Sequence, residues 1–346
     1  MLPRYDIAQS YDWNYANAPA EPPEVEVPPF PGRWDFLGIP VNSPLGIPAG
    51  PLLNSRWVLY YARLGFDVLV YKTVRSGFRA SFEPPNLLPV SATSLTREGT
   101  EIDADPGSVH PHTWAISFGM PSKSPTEWRA DVERTRRGMG KGQALVVSVV
   151  ASPQPDWTID DLARDFAQCA VWAAEAGADV VEANLSCPNV CTKEADLYLD
   201  AQAAALIAAE LRARLPRLPL ALKIGLFRHG DEAEALVEAV SPHVDGLSSA
   251  NSITAVVRGA FGGLRRGIGG AAITQRCNEE MAMLRAIVER KQSKLRLVGV
   301  GGVMTATDVT ARLNAGAHAV HLATAPMLDP EIALTIRANL AATTTC

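Results

Sequence analysis

Six consecutive residues, Asn184-Leu185-Ser186-Cys187-Pro188-Asn189, carry the densest chemistry in this 346-residue chain. They follow an apolar run, Ala178 to Ala183, that reads as a short buried strand. A thiol is thereby set at a strand's C-terminal end, between two carboxamides, where proline stops further sheet pairing. Each Asn side chain offers donors and an acceptor, so Asn184 and Asn189 together suit a planar ligand with amide-like edges. Cys187 between them fits a base or a nucleophile toward that ligand; the plain alternative is a turn with an inert, buried thiol. A thiol titrates ordinarily at about 8.5, so a modest local shift gives a competent base near neutral pH.

Positioning such groups requires a frame, and one is visible from about residue 44 onward. Short apolar strands are expected at 45–49, 68–72, 145–150, 180–184, 220–223, 246–249, 297–300 and 319–323. Amphipathic stretches at 57–64, 159–176, 201–215, 232–240, 275–290, 306–315 and 330–340 separate most of them. Eight strands alternating with helices fit a (β/α)8 barrel better than an open sheet, making this an α/β chain. Glycines at 65, 177 and 316 supply left-handed helix ends before the next strand. Residues 1–33, with six prolines between Pro19 and Pro31, form an N-terminal extension. It has no visible period and is expected to lie extended on the surface or against a partner subunit, with Tyr5, Tyr11, Trp13 and Tyr15 as packing anchors. Residues 34–346 read as one barrel domain, interrupted by an insertion over 73–125. That insertion is too long for a strand–helix loop and suits a segment that shapes or covers the site.

In such barrels, active residues sit at the C-terminal strand ends. Those ends carry Ala49-Gly50, Lys72-Thr73, Ser148, Asn184, Lys223, Ser248 to Asn251, Gly301-Gly302 and Ala323-Thr324. Gly269-Gly270, ahead of a helix near Ile273, and Gly301-Gly302 allow close backbone approach to an anion, and the loops after strands seven and eight are the usual phosphate site. Lys72 and Lys223 close strands, where an inward ammonium is costly without an anion. The bland partner is an Asp or Glu inside the rim. The more interesting one is an isoalloxazine ring, whose reduced form a lysine at the pyrimidine end would stabilise. One phosphate, a planar ring and an anionic reduced state describe FMN. No G-x-G-x-x-G signature follows a first strand, which argues against a nicotinamide Rossmann domain.

Composition narrows the class further. The net charge is −5 and the pI about 5.7, which argues against broad nucleic-acid binding. No apolar run approaches a bilayer span, and no amphipathic basic arm or signal pattern is visible at the N-terminus, so neither membrane docking nor secretion is expected, and the cytoplasm is the default. The five cysteines read as reduced thiols. Cys187 and Cys191 have no histidine near them, and no metal is expected.

With these residues placed, the chain resembles the dihydroorotate dehydrogenase family, FMN-dependent TIM barrels, over roughly residues 36–336. The resemblance rests on the ordered set Asn184 to Asn189, Lys72-Thr73, Leu222-Lys223, Ala250-Asn251-Ser252, Gly267 to Gly270, Gly301-Gly302 and Ala323-Thr324. Cysteine rather than serine in the loop is similar to the soluble class 1 enzymes. The resemblance implies that Cys187 removes the C5 proton of dihydroorotate while hydride passes from C6 to flavin N5. It places Asn184, Asn189, Asn251 and Ser252 around the pyrimidine ring or the flavin edge, Lys72 between flavin and substrate, and Lys223 by the flavin's pyrimidine end. Gly269, Gly270, Gly301, Gly302, Ala323 and Thr324 would cradle the phosphate, Ala49 and Gly50 would line the ring, and Thr73 and Ser148 would stand at its edge. A homodimer is implied, with an electron-transfer partner subunit compatible; fumarate, NAD through such a partner, or another oxidant each suit the motifs.

One departure bears on the substrate. Where class 1 enzymes have Gly-Leu-Pro-Asn, this chain has Gly119-Met120-Pro121-Ser122, and a hydroxyl cannot reproduce a carboxamide's paired donor and acceptor. Ser122 is therefore the expected substrate-side residue, with Arg75, Arg79 and Arg97 in the insertion as candidates to restore carboxylate binding. Another dihydropyrimidine is the alternative substrate. The tRNA-dihydrouridine synthases share an Asn-x-x-Cys-Pro loop but need a basic RNA surface and a helical C-terminal domain. A barrel that binds FMN without turnover would have no use for a base.

Overall fold

The computed structural model describes residues 2–108, 112–186 and 196–344, so Cys187 and Asn189 lie outside the described residues. Among those described, eight parallel strands close into a barrel: β1 (Leu45–Ile47), β2 (Val68–Val74), β3 (Ala144–Val149), β4 (Val180–Asn184), β5 (Leu220–Lys223), β6 (Gly246–Ser249), β7 (Arg296–Val300) and β8 (Ala319–His321). Neighbours in sequence are neighbours in space throughout, and β8 returns to pair with β1. A helix follows each strand, as the alternation predicts, and the barrel is thereby clothed on its outside. Gly65, Gly177 and Gly316 turn the chain back at φ of +90°, +100° and +111°. One helix, Pro125–Gly138, has no amphipathic stripe strong enough to announce it; a capping box between Ser124 and Glu127 starts it, and buried Trp128 and Val132 dock it.

Valines fill the lower barrel interior: Val68, Val70, Val146, Val180 and Val298 pack with Ala144 and Ala319. A hairpin of Trp34–Phe36 and Ile39–Val41 plugs the end from below, its Phe36 ring stacked on His321 at 5.9 Å. One layer higher the interior turns polar, with Ser148, Glu182, Ser248 and His321 all buried. That change of character sets the floor of the site.

Two expectations are corrected here. The 73–125 insertion is not an open loop. Three of its pieces, Leu87–Pro89, Thr100–Asp103 and Thr113–Ile116, join Ile253–Arg258 and Arg265–Gly270 in a five-stranded roof sheet over the barrel mouth. Its strands are three to six residues long and draw partners from far along the chain, so no local period marks them. Gly267 to Gly270 accordingly lie in a roof strand rather than a turn. The N-terminal extension is also not wholly extended. Ser10 caps a short helix, Tyr11–Ala16, and the segment is pinned to its own barrel: Trp57 Nε1 donates to Asn14 O at 3.0 Å and Arg337 Nη1 to Pro28 O at 3.0 Å. Tyr5 and Tyr11 are buried anchors, whereas Trp13 is exposed.

Candidate active site

A cavity of about 130 Å³ lies between the C-terminal strand ends and the roof sheet. Its floor comes from the barrel. Ala49 and Gly50 follow β1; Lys72 and Thr73 end β2; Asn184 ends β4 and Lys223 ends β5; Asn251 follows β6. Gly301 and Gly302 follow β7, and Ala323 and Thr324 follow β8. The opposite wall is apolar and comes from Trp114, Ile116, Phe118 and Met120 of the insertion, expected to shape or cover the site but with none of these residues singled out, and from Tyr5 of the N-terminus, read only as a packing anchor. No sequence signal marks these, because they act by shape and water exclusion and any large apolar residue would serve.

The polar groups have identifiable duties. Asn184 accepts from Ser186 N–H at 3.1 Å, while its amide nitrogen lies 3.6 Å from the Met120 sulfur. Asn251 donates to Ser186 O at 2.6 Å. The two carboxamides thus grip the backbone one residue before Cys187, from β4 on one side and from the end of β6 on the other. Thr73 and Ser148 hydroxyls are 3.1 Å apart, which sets Ser148 behind Thr73 and off the cavity wall. Ser252 is buried at the start of a roof strand and also stands off the wall.

Ser122 is not brought to the cavity. Its hydroxyl accepts from Arg75 N–H at 3.0 Å and donates to Lys123 O at 2.8 Å, so backbone groups use up both of its functions. Arg75 is itself buried, donating through Nε to Met120 O at 3.1 Å, and it lines no part of the cavity wall. Arg79 pairs through its backbone with Ser122, and Arg97 borders a separate surface pocket. Among these candidates none reaches the site floor.

The two lysines differ in company. Lys223 is 3% exposed, and desolvation pulls its pKa below the usual lysine value, opposed by the charge of Glu182. Burial in turn pushes the Glu182 carboxyl up, against the pull of Lys223 and the nearby Ser248 and Ser148 hydroxyls. The rim carboxylate that sequence reasoning allowed as a partner therefore exists, one layer below the lysine. Lys72 is likewise buried at the cavity edge.

Close packing against neighbouring segments requires glycine at two positions on the cavity wall. A Cβ on Gly302, at φ +75°, would come 2.3 Å from Thr274 Oγ1, and one on Gly270, at φ +104°, 2.1 Å from His112 O. Gly269, Gly270, Gly301 and Gly302 line the cavity beside β7 and the roof, and without side chains they let an anionic oxygen approach the backbone closely. Two buried ammonium groups, this glycine wall and a flat apolar roof fit a phosphate-bearing planar group.

Comparison with known proteins decides the lineage. The dihydroorotate dehydrogenase family profile matches residues 117–343, two thirds of the chain. A dihydroorotate dehydrogenase of Dictyostelium discoideum is 32% identical over 359 aligned residues, covering 96% of each chain. The chain belongs to the dihydroorotate dehydrogenase family. It is an oxidoreductase acting on CH–CH donors. A second relative, the dihydroorotate dehydrogenase (quinone) of Acidovorax ebreus, is 26% identical, covering 84% of this chain and 80% of its own. Among solved structures, the dihydroorotate dehydrogenase of Eimeria tenella in complex with ferulenol superposes with a TM-score of 0.76 at 16% identity, covering 96% of this chain and 89% of the other. At that identity the match speaks for the barrel fold alone. Among the described residues no helix is long and apolar enough to cross a membrane.

Proposed function

We propose that this family member oxidises dihydroorotate to orotate with FMN held in the barrel mouth and Cys187 as the base. The observation that carries the reading is the cavity itself. Two buried lysines, a glycine wall and the braced start of the Cys187 loop converge on one cavity under an apolar roof. FMN, when bound there, supplies the acceptor for the hydride leaving C6 of the substrate.

The chain's own residues do the rest. The Cys187 thiolate takes the C5 proton; its carbon–hydrogen bond breaks as the sulfur–hydrogen bond forms, and a ring double bond closes as the C6 hydride departs. Asn184 and Asn251 hold Ser186 and so fix where that sulfur starts from, while Asn189 is assigned to the substrate ring. Lys223 and Lys72 offset negative charge that accumulates in the cavity, where low polarity strengthens their effect. Gly269, Gly270, Gly301, Gly302, Ala323 and Thr324 are assigned to the phosphate. The roof residues Trp114, Phe118 and Tyr5 exclude water from the reacting faces.

A second reading, turnover of a different dihydropyrimidine, is favoured by Ser122, whose hydroxyl is committed to backbone and offers no carboxamide edge. Anaerobic mixing separates the two. Bleaching of the yellow protein by dihydroorotate supports the first, and bleaching only by another ring in a dihydropyrimidine panel supports the second. Cys187→Ala should keep FMN bound yet slow reduction by about 10²–10⁴-fold, the usual share of a positioned base. Reduction of that variant at the parent rate would remove Cys187 from the scheme.

A further inference from the structure

Glu182 is the only acidic residue in the eight barrel strands. It is 2% exposed, and the register sets it opposite Ser148 on β3 and Ala221 on β5, one layer beneath Lys223 and Asn184. The layer below it packs Val68, Val70, Val146, Val180 and Val298 with Ala144 and Ala319, so a carboxyl is set directly above apolar side chains. Its Oε1 has no hydrogen-bond partner in the protein, nor do both ring nitrogens of His321 across the barrel. A carboxylate left this short of partners costs stability, so its presence calls for a reason.

Charge supplies that reason. The inward or nearby titratable groups around Lys223 are Glu182 on β4, Lys72 on β2, His321 on β8 and Cys277 on the helix Thr274–Arg290, with the Ser148 and Ser248 hydroxyls between. Burial holds His321 neutral, with its pKa pushed down to about 3, and burial lifts the Cys277 thiol to about 11, so it too is neutral near pH 7. Glu182 is then the one carboxyl among these described groups, and the Lys223 charge pulls it toward its ionised form. We propose that Glu182 is a positioning residue that keeps Lys223 in its ammonium form while the cavity holds a neutral ring, so that the charge is already in place when electrons arrive.

The inference rests on the FMN reading and deepens it. The sign follows from Lys223, whose charge is complete below its pKa and lost above it. Removing Glu182 lowers that pKa, because desolvation is then unopposed. The test titrates the visible spectrum and the FMN affinity of the oxidised protein from about pH 6 to pH 10, the span between ordinary His and Lys values. The Lys223-linked transition should move down by about one pH unit or more in Glu182→Gln, against about half of that or less in Glu182→Asp, which retains a carboxylate. In a Lys223→Met background the transition should vanish, and adding Glu182→Gln should change nothing further. Identical profiles for the parent and Glu182→Gln would overturn the proposal. If Glu182→Gln does not fold, a transition that persists unchanged in Lys223→Met does the same, because the transition then does not belong to Lys223. A parent protein that takes up no FMN defeats the cofactor reading instead, a different and recognisable outcome.

Discussion

The barrel and the roof above it meet at one cavity but are built on different terms. The barrel takes its strands in chain order, each paired with the next, and buries long apolar runs on both faces. The roof assembles five short strands from two stretches separated by more than 130 residues, and it closes its own small core of Val90, Ile102, Ala115, Ile253, Val257 and Ile268. The barrel supplies the charged and glycine-lined floor; the roof supplies the apolar cover. The difference teaches that the polar chemistry of a site and the apolar cover that makes it effective can come from elements assembled in different ways.

Three measurements break or sharpen that contrast. The largest effect is expected in the frame. Arg337 on the last helix is buried and donates to Gly65 O at 2.8 Å and Ser43 Oγ at 2.8 Å while pairing with buried Asp67. Arg337→Met leaves Asp67 without its partner and should lower the unfolding free energy by about 3–5 kcal/mol in urea titrations. A loss below 1 kcal/mol, on the order of a surface pair, would show that this buried link does not hold the frame.

A smaller and more local loss is expected in the roof. Ile268→Ala should cost about 3 kcal/mol and show itself in native-state hydrogen exchange. Amides of Thr113–Ile116, Ile253–Arg258 and Arg265–Gly270 should lose protection while those of β2 to β5 keep it. Equal losses in both sets would make barrel and roof a single cooperative unit.

The smallest effect is a pH slope. His321 binds a proton less readily folded than unfolded, its pKa depressed to about 3 by burial and by the charge of Lys223. Between that value and about 6.5, the unfolded chain therefore holds more protons, and stability must rise with pH through the window and fall on acidification. The slope attributable to this residue is about 1.4 kcal/mol per pH unit. His321→Gln should flatten the unfolding free energy between about pH 6 and pH 4 by that amount. An unchanged slope would place the acid sensitivity elsewhere.

The frame was legible because its signals are local. Alternating apolar runs, helix ends at Gly65, Gly177 and Gly316, and capping residues depend on neighbours a few positions away, and the observed strand bounds fall within two residues of those read from the sequence. The Pro125–Gly138 helix was missed because its face is mostly charged and Trp128 and Val132 are its only buried apolar residues, with Asp131 and Thr135 making up the rest of the buried face. The short helix at Tyr11–Ala16 was missed because six residues show no period. Chemistry was legible in the same local way: Lys72, Lys223, Asn184, Asn251 and the glycine pairs stand at strand ends, and strand ends converge in a barrel. Ser122 was read by its motif position, yet its hydroxyl turned out to serve the Arg75 and Lys123 backbone.

What the sequence alone determined is the order of strands and helices and the residue types gathered at one rim. Both follow from short-range periodicity and from the fixed geometry of a closed parallel sheet. Only the tertiary structure decided that residues 87–116 pair with 253–270 to make a roof, that Tyr5 reaches the cavity, and that Glu182 lies beneath Lys223 with few partners. Those arrangements depend on contacts between distant segments, whose energies come from burial and charge in a particular place, and a linear pattern carries no record of place.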